Sequence, residues 1–345
     1  MTSGMRRLPI FRRLALGLSL IALTSGILLL SDLRGRSTTA GESPRSAAGR
    51  VYKVGLVYIG PDPALDLAIR GLFDGFREMG LTEGKNLELR QSHAAGELGN
   101  IPAVLQSLDN QDVDLILTFT TPVLTAACHT VKKKPVVFTL VSDPIAAGAG
   151  VTDTEHVPFV TGVGSFPPIP DMIDLIRDVL PGVKSVGTLY NSSEANSRKV
   201  VGVGRELFPK QGIRLEEVTV TSSNEVQQAA EALAARRIQA LWISGDNTAL
   251  GAFEAVVSVA LSHKLPLFAE DPEFVPRGAL AGVGLGSYDS GYSGGKLAAR
   301  VLLGENPRDL PFEHVTKKST VVNQDIARRL GITFPEKVLR AAAAN

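Results

Sequence analysis

Five short loops carry the side chains in this sequence best suited to gripping a small polar molecule. They read Gly60-Pro61-Asp62, Thr120-Thr121-Pro122, Ser142-Asp143-Pro144, Asn191-Ser192-Ser193-Glu194 and Asp246-Asn247-Thr248. Each follows an apolar, strand-like run. At the carboxyl ends of parallel strands, helix N-termini point free N–H groups outward, and ligands gather there. Such N–H groups, helped by Ser and Thr hydroxyls, favour a carboxylate, whereas Asp and Glu oxygens favour an ammonium. A cleft holding both kinds suits a zwitterion such as an amino acid. Any one of these loops is explained by helix capping alone. Five in matching places point to a shared cleft.

Other motifs carry less. Gly291-Tyr292-Ser293-Gly294-Gly295 matches the G-x-S-x-G pattern of a nucleophile elbow. An elbow needs its serine on a sharp strand-to-helix turn, but here the preceding strand ends near Leu285 and a helix runs from about Ser287 to Leu303. The only downstream histidine is His314, in a connector. A serine hydrolase using Ser293 is therefore the remote alternative. Gly282-Val283-Gly284-Leu285-Gly286 lacks full dinucleotide-fingerprint spacing and reads better as a strand that needs close backbone approach. His93, His129, His156, His263 and His314 are scattered, and the one cysteine, Cys128, lies in an apolar helical pattern. No cofactor, metal site or catalytic residue is expected.

The elements that must position the loops alternate regularly. Val54–Tyr58, Asn86–Arg90, Asp114–Phe119 and Pro135–Leu140 read as strands, separated by helical patterns at Ala64–Met79, Ile101–Leu108 and Pro122–Val131. The rhythm restarts near Lys184. Strands are predicted at Val186–Tyr190, Ile213–Val220, Ile238–Ser244 and Leu265–Phe268, with helices at Glu194–Phe208 and Thr248–His263. Another helix is opened by a capping box at Ser222-Ser223-Asn224-Glu225. Two such series predict an α/β fold of two Rossmann-like lobes, each a parallel sheet covered on both faces. Segments Phe159–Phe166, Leu280–Ser287 and Val315–Val322 are strand-like and are expected to cross between the lobes as a three-part hinge, with the ligand cleft between them. Residues 51–165 are expected to form the N-terminal lobe, completed by about 286–314. Residues 166–285 form the C-terminal lobe, completed by about 315–345.

Bulk properties exclude several function classes. The 345 residues suit two lobes of ordinary size, and 44% hydrophobic with 21% charged residues suits a globular chain. With 36 basic against 35 acidic side chains and 6% aromatics, neither a phosphate-binding face nor a base-stacking platform is indicated. Nucleic acid is not expected as a partner. At the N-terminus, Arg6, Arg7, Arg12 and Arg13 precede an apolar run from Leu14 to Leu30 and a small-residue stretch to Arg50. Residues 1–50 thus read as a signal peptide, or an N-terminal anchor, plus a polar linker. Cleavage is favoured because Gly17, Ser19, Thr24, Ser25 and Gly26 weaken the run as a membrane span. Thr38-Thr39-Ala40 and Ser46-Ala47-Ala48 are candidate cleavage sites. Either way the folded part is expected in the periplasm or another extracytoplasmic space, with membrane contact only through an uncleaved N-terminal segment. No second apolar segment is long enough to cross.

From about Val51 to about Leu339 the chain resembles the ABC-transporter substrate-binding proteins of the tryptophan/tyrosine-binding type. Pro63-Ala64-Leu65-Asp66, Glu83-Gly84-Lys85-Asn86, Val113-Asp114-Leu115-Ile116, Thr121-Pro122, Asp143-Pro144, Ser193-Glu194-Ala195-Asn196-Ser197 and Asp246-Asn247-Thr248 carry the resemblance. It implies a type I periplasmic-binding fold and a monomer that delivers a small ligand to an inner-membrane ABC permease, without catalysis. Thr121, Asp143, Ser193, Glu194, Asn196, Ser197, Asp246 and Asn247 match its cleft motifs. Of these, Asp246 or Asp143 is expected to take an ammonium, and Thr121 and Ser193 a carboxylate. Three loops depart from the pattern: Val123-Leu124-Thr125, Ala269-Glu270-Asp271-Pro272 and Gly286-Ser287-Tyr288-Asp289. They would shape the pocket around a ligand side chain, which leaves an aromatic amino acid only weakly favoured. A membrane-anchored ligand sensor on the same fold is the alternative function.

Overall fold

The computed structural model describes residues 49–344; the expected signal or anchor in 1–48 falls outside them. From Tyr52 the chain alternates strand and helix through β1 (Tyr52–Tyr58), α1 (Pro63–Glu78), β2 (Leu87–His93), α2 (Ile101–Asp109), β3 (Leu115–Phe119), α3 (Thr121–Thr130), β4 (Val136–Val141) and β5 (Val160–Gly164). It then repeats the pattern with α4 (Ile169–Val179), β6 (Ser185–Asn191), α5 (Ala195–Lys210), β7 (Arg214–Val220), α6 (Val226–Ala235), β8 (Ala240–Ile243), α7 (Asn247–Leu250), α8 (Phe253–Ser262), β9 (Leu267–Ala269) and β10 (Ala281–Leu285). The last part is α9 (Ser287–Leu302), β11 (Glu313–His314), β12 (Lys318–Val322), α10 (Gln324–Leu330) and α11 (Glu336–Ala343).

Two six-stranded sheets result, ordered β11-β5-β4-β3-β1-β2 and β12-β10-β9-β8-β6-β7. All neighbours pair in parallel except β12, which runs antiparallel to β10. β1, β3, β4, β5 and β6 are buried along their whole length or nearly so, as parallel strands covered on both faces must be. Each sheet divides its core in two. Leu56, Leu72, Phe76 and Leu117 fill one face of the first sheet, and Leu105, Ile116, Leu124 and Phe138 fill the other. The second sheet does the same with Leu233, Ile243 and Phe253 against Ile176, Phe208 and Trp242. This is the expected two-lobed α/β architecture.

The chain passes between the sheets at residues 165–168, at Gly286 and at 315–317. The second passage is the sharpest. β10 belongs to the C-terminal sheet, whereas α9, two residues later, packs on α1 and accepts a 2.8 Å hydrogen bond from Thr139 Oγ1 of β4 at the Ser290 carbonyl.

Four glycines allow that packing. A Cβ at Gly71 would lie 2.1 Å from the Tyr288 carbonyl oxygen, and one at Gly75 2.2 Å from that of Tyr292. Reciprocally, a Cβ at Gly291 would meet the Ala68 oxygen at 1.9 Å and one at Gly295 the Leu72 oxygen at 2.3 Å. The G-x-S-x-G match is therefore half of a helix–helix contact, with Ser293 in mid-helix and no strand-to-helix elbow.

Two local expectations are corrected. The predicted helix over 248–263 breaks at Gly251–Ala252 into α7 and α8. The Ser222–Glu225 capping box does not form; Glu225 instead accepts from the Thr221 N–H at 2.7 Å and the Thr221 hydroxyl at 2.9 Å. Glu225 reaches one residue further back because a short 3-10 turn precedes α6.

Gly291→Ala should destabilise the protein by about 1–3 kcal/mol through overpacking. Urea unfolding would measure it, and a wild-type midpoint would show that α1 and α9 part easily.

Candidate functional site

The strand ends of the two sheets face one another across a small cavity of ≈ 80 Å³. Asp62, Ala64, Thr120, Thr121, Leu140 and Ser142 line it from the N-terminal lobe. Asn196, Ser244, Gly245, Asn247, Leu250, Glu270 and Asp271 line it from the C-terminal lobe, and Leu285, Ser287 and Ser290 complete it beside the central crossing. Ala64 of α1 packs into the hydrophobic cluster of the opposite lobe, so the two walls are in contact.

Of the residues expected at the site, Thr121, Asn196 and Asn247 stand on this wall. Thr121 begins α3, where its hydroxyl oxygen accepts from the Ser142 N–H at 3.3 Å. Thr120 before it holds φ of 76°, a positive value rare for a residue with a Cβ. That conformation turns the loop sharply from β3 into α3. Asn196 donates to the Gly245 carbonyl at 3.2 Å.

Asp246, Glu194 and Ser197 lie behind the wall and serve the backbone. Asp246 is fully buried. It accepts from Ala249 N–H at 2.7 Å, Asn191 N–H at 2.8 Å and the Ser197 hydroxyl at 2.6 Å. Glu194 caps α7 with both oxygens, taking the Asn247 N–H at 3.2 Å and side-chain amide at 2.6 Å, and the Thr248 N–H at 3.0 Å and hydroxyl at 2.7 Å. Burial, then the nearby Glu194 charge, push the Asp246 carboxyl upward.

Asp143 folds back onto its own turn, accepting from Ile145 N–H at 3.0 Å and Ala146 N–H at 2.9 Å, and lies 3.8 Å from Lys199 of the other lobe. Ser193 hydrogen-bonds Asn191 Oδ1 at 2.7 Å. With Asn191, Thr248, Gly96 and Ser222 it lines a second pocket of ≈ 320 Å³.

Two further acidic groups on the wall are Glu270 and Asp271, at the end of β9, in a loop that the sequence marks only as a departure. Glu270 is 3% exposed. Its Oε1 accepts from the Trp242 indole N–H at 3.1 Å, and its Oε2 has no partner. Burial pushes its carboxyl well up, and the neighbouring Asp271 adds to this. Asp271 is raised to about 7, by burial first and then by Glu273 and Asp62. No Lys, Arg or His stands on the wall among the described residues.

Further unpartnered groups face the same space. Thr120 Oγ1, Asn196 Oδ1, Ser244 Oγ and Ser290 Oγ are buried wall atoms without a hydrogen-bond partner. Unmet buried polar groups are rare and costly, so their gathering at one cavity points to a polar guest. Cys128 offers no competing chemistry, since burial raises its thiol to about 11.

The sequence pattern of ABC transporter substrate binding proteins matches residues 53–345. The chain belongs to this family. Family members are substrate-binding proteins rather than enzymes, which removes Ser293 as a nucleophile. A "Tyrosine-binding protein" of Clostridioides difficile is 28% identical over 311 residues, covering 89% of this chain and 90% of that relative. The structure of an ABC domain in complex with L-Trp from Streptococcus pneumoniae superposes with a TM-score of 0.81 at 31% identity, covering 85% of this chain and 98% of the other. A ligand-free, open substrate-binding protein with adhesive properties from Clostridium difficile gives 0.63 at 30% identity, covering 83% and 97%. At nearly equal identity, the liganded structure superposes on this substrate-binding protein more closely than the open one does.

Asp271 sets a pH dependence. Its folded value, about 7, lies above the ordinary 3.8, so the folded state keeps a proton that the unfolded state has lost. Stability falls as pH rises through that window and levels off above it. In Asp271→Asn this contribution disappears. Urea denaturation should show the variant gaining on wild type between about pH 4 and pH 7. A gap independent of pH would mean that Asp271 ionises normally.

Proposed function

We propose that this protein is an exported receptor that captures an α-amino acid, with an aromatic side chain favoured, for an ABC importer. The observation that carries the proposal is the pairing of Glu270 and Asp271 on a wall without cations. Two buried carboxylates side by side repel one another and lose hydration. A ligand ammonium supplies the missing partner, and the free Glu270 Oε2 is placed to receive it. The ammonium role expected for Asp246 or Asp143 thereby passes to the β9 loop, because Asp246 gives both oxygens to backbone N–H groups, and Asp143 gives one to its own turn and holds the other beside Lys199.

The ligand carboxylate is assigned to the N-termini of α3 and α9, with Thr121, Ser287 and Ser290 on the wall beside them. Helix N-termini bind carboxylates through free N–H groups and the positive end of the helix dipole. Asn196 and Asn247 hold the remaining polar edge. Leu140, Pro167, Leu250 and Leu285 give the cavity an apolar side for the ligand side chain. The tyrosine and tryptophan named for the two relatives support the aromatic preference.

Export rests on the N-terminal basic-then-apolar pattern, and among the described residues no helix is long and apolar enough to cross a membrane. The partner is a cognate inner-membrane permease.

A thermal-shift series of amino acids, deaminated analogues and sugars tests the reading. L-Tyrosine or L-tryptophan at 100 times its dissociation constant should add roughly 2.7 kcal/mol of stability. In Asp271→Asn the affinity for that amino acid should fall at least about tenfold, by loss of a charge-assisted bond. Stabilisation by sugars and by no α-amino acid would overturn the proposal.

A further inference from the structure

We propose that Asp62 is a further ligand-binding residue, holding the amino acid's ammonium from the lobe opposite Glu270 and Asp271, so that the cleft closes stably only around a cation. The inference rests on the amino-acid reading given above and adds the N-terminal lobe's share of the charge.

Asp62 is the N-cap of α1. Its backbone is extended, at φ −153° and ψ 162°, and its Oδ1 accepts the Leu65 N–H at 2.9 Å. A cap needs only one acceptor oxygen, which Asn supplies as well as Asp. The capping role therefore leaves the negative charge unexplained. That charge stands on the cavity wall. Two residues on, Ala64 packs in the C-terminal lobe's cluster, which fixes Asp62 at the contact between lobes.

Everything acidic nearby makes the position worse for an anion. Across the cleft, Asp271 and Glu270 share the wall with it. Behind them, Glu273 accepts weakly from the Ser287 N–H at 3.4 Å through Oε1 and leaves Oε2 buried and unpartnered. Asp66 on α1 adds a further negative charge, and burial raises the Asp62 carboxyl. The cation whose field reaches Asp62 is Arg277, which is paired with Glu254 and stacked 4.8 Å over the Phe274 ring, off the wall.

Closure thus brings together carboxylates from two bodies. Like charges in a poorly hydrated space oppose that approach. A ligand ammonium between them reverses the sign, and it does so only in the closed state. That is the differential affinity a ligand needs in order to shift a conformational equilibrium. The buried, unpartnered Glu270 Oε2 is the independent sign that a donor belongs here. A ligand with the same side chain and carboxylate but no amine fills the cavity without relieving the repulsion.

Asp62→Asn tests this, because it keeps the cap and removes the charge. Calorimetry at pH 7.5 would compare L-tyrosine with 3-(4-hydroxyphenyl)propionate, and L-tryptophan with 3-indolepropionate, on wild type and variant. The preference for the amine-bearing member should drop about tenfold or more in Asp62→Asn, while the melting temperature stays near wild type. Small-angle scattering should show the ligand-free variant more compact than ligand-free wild type. An unchanged amine preference in a folded variant overturns the role of Asp62 while leaving the amino-acid reading intact. Failure of wild type to bind any α-amino acid overturns both.

Discussion

Every parallel strand in this fold ends at a loop whose backbone N–H groups need acceptors, and that requirement organises the cleft. In the C-terminal lobe the need is met from below. Asp246 ties the end of β6 to the start of α7 and to Ser197 of α5. Glu194 closes the same helix end from the α5 side. With these two carboxylates consumed internally, Gly245, Asn196 and Asn247 are presented at the wall on a framework that does not have to rearrange. Cavity-lining groups held this way are already fixed in place and have little freedom left to lose.

The same requirement explains which parts of the molecule were legible in its sequence. The alternation of apolar strand runs with helical spacing is repeated in Val54–Tyr58, Leu115–Phe119 and Val186–Tyr190, and the burial of β1, β3 and β6 follows it closely. The crossings were legible too, since each carries a strand-like run interrupted near Ser165, Gly286 or Lys317. β11, with only Glu313–His314, is too short to produce a pattern. The α7–α8 break was hidden because both segments share one apolar periodicity.

At the site, location was easier to read than role. Asp62, Thr121, Ser142 and Asn247 bring four of the five cap-rich loops to the first cavity and Ser193 brings the fifth to the second, while Thr121, Asn196 and Asn247 stand on the first. Which acid faces inward was not visible. An aspartate at a strand end can turn to its own helix or to the gap, and the distances that decide between them are tertiary. Asp246 and Asp143 found backbone donors close by. Glu270 and Asp271 did not, because Pro272 follows them and offers no N–H. Instead Trp242 in the adjacent strand holds Glu270 by one oxygen. That indole contact, 28 positions away in sequence, has no local signature.

The passage at Gly286 divides neighbours in sequence between separate bodies. Leu285 belongs to β10 and the C-terminal sheet, while Ser287 and Ser290 are carried by α9, which the glycine-lined seam fastens to α1. The junction therefore acts as a phase-setting coupling. With 3.6 residues per turn, one inserted residue there would rotate the serine-bearing face by about 100° and point it away from the cavity. Chain length at this spot is as much a component of the receptor's chemistry as any side chain.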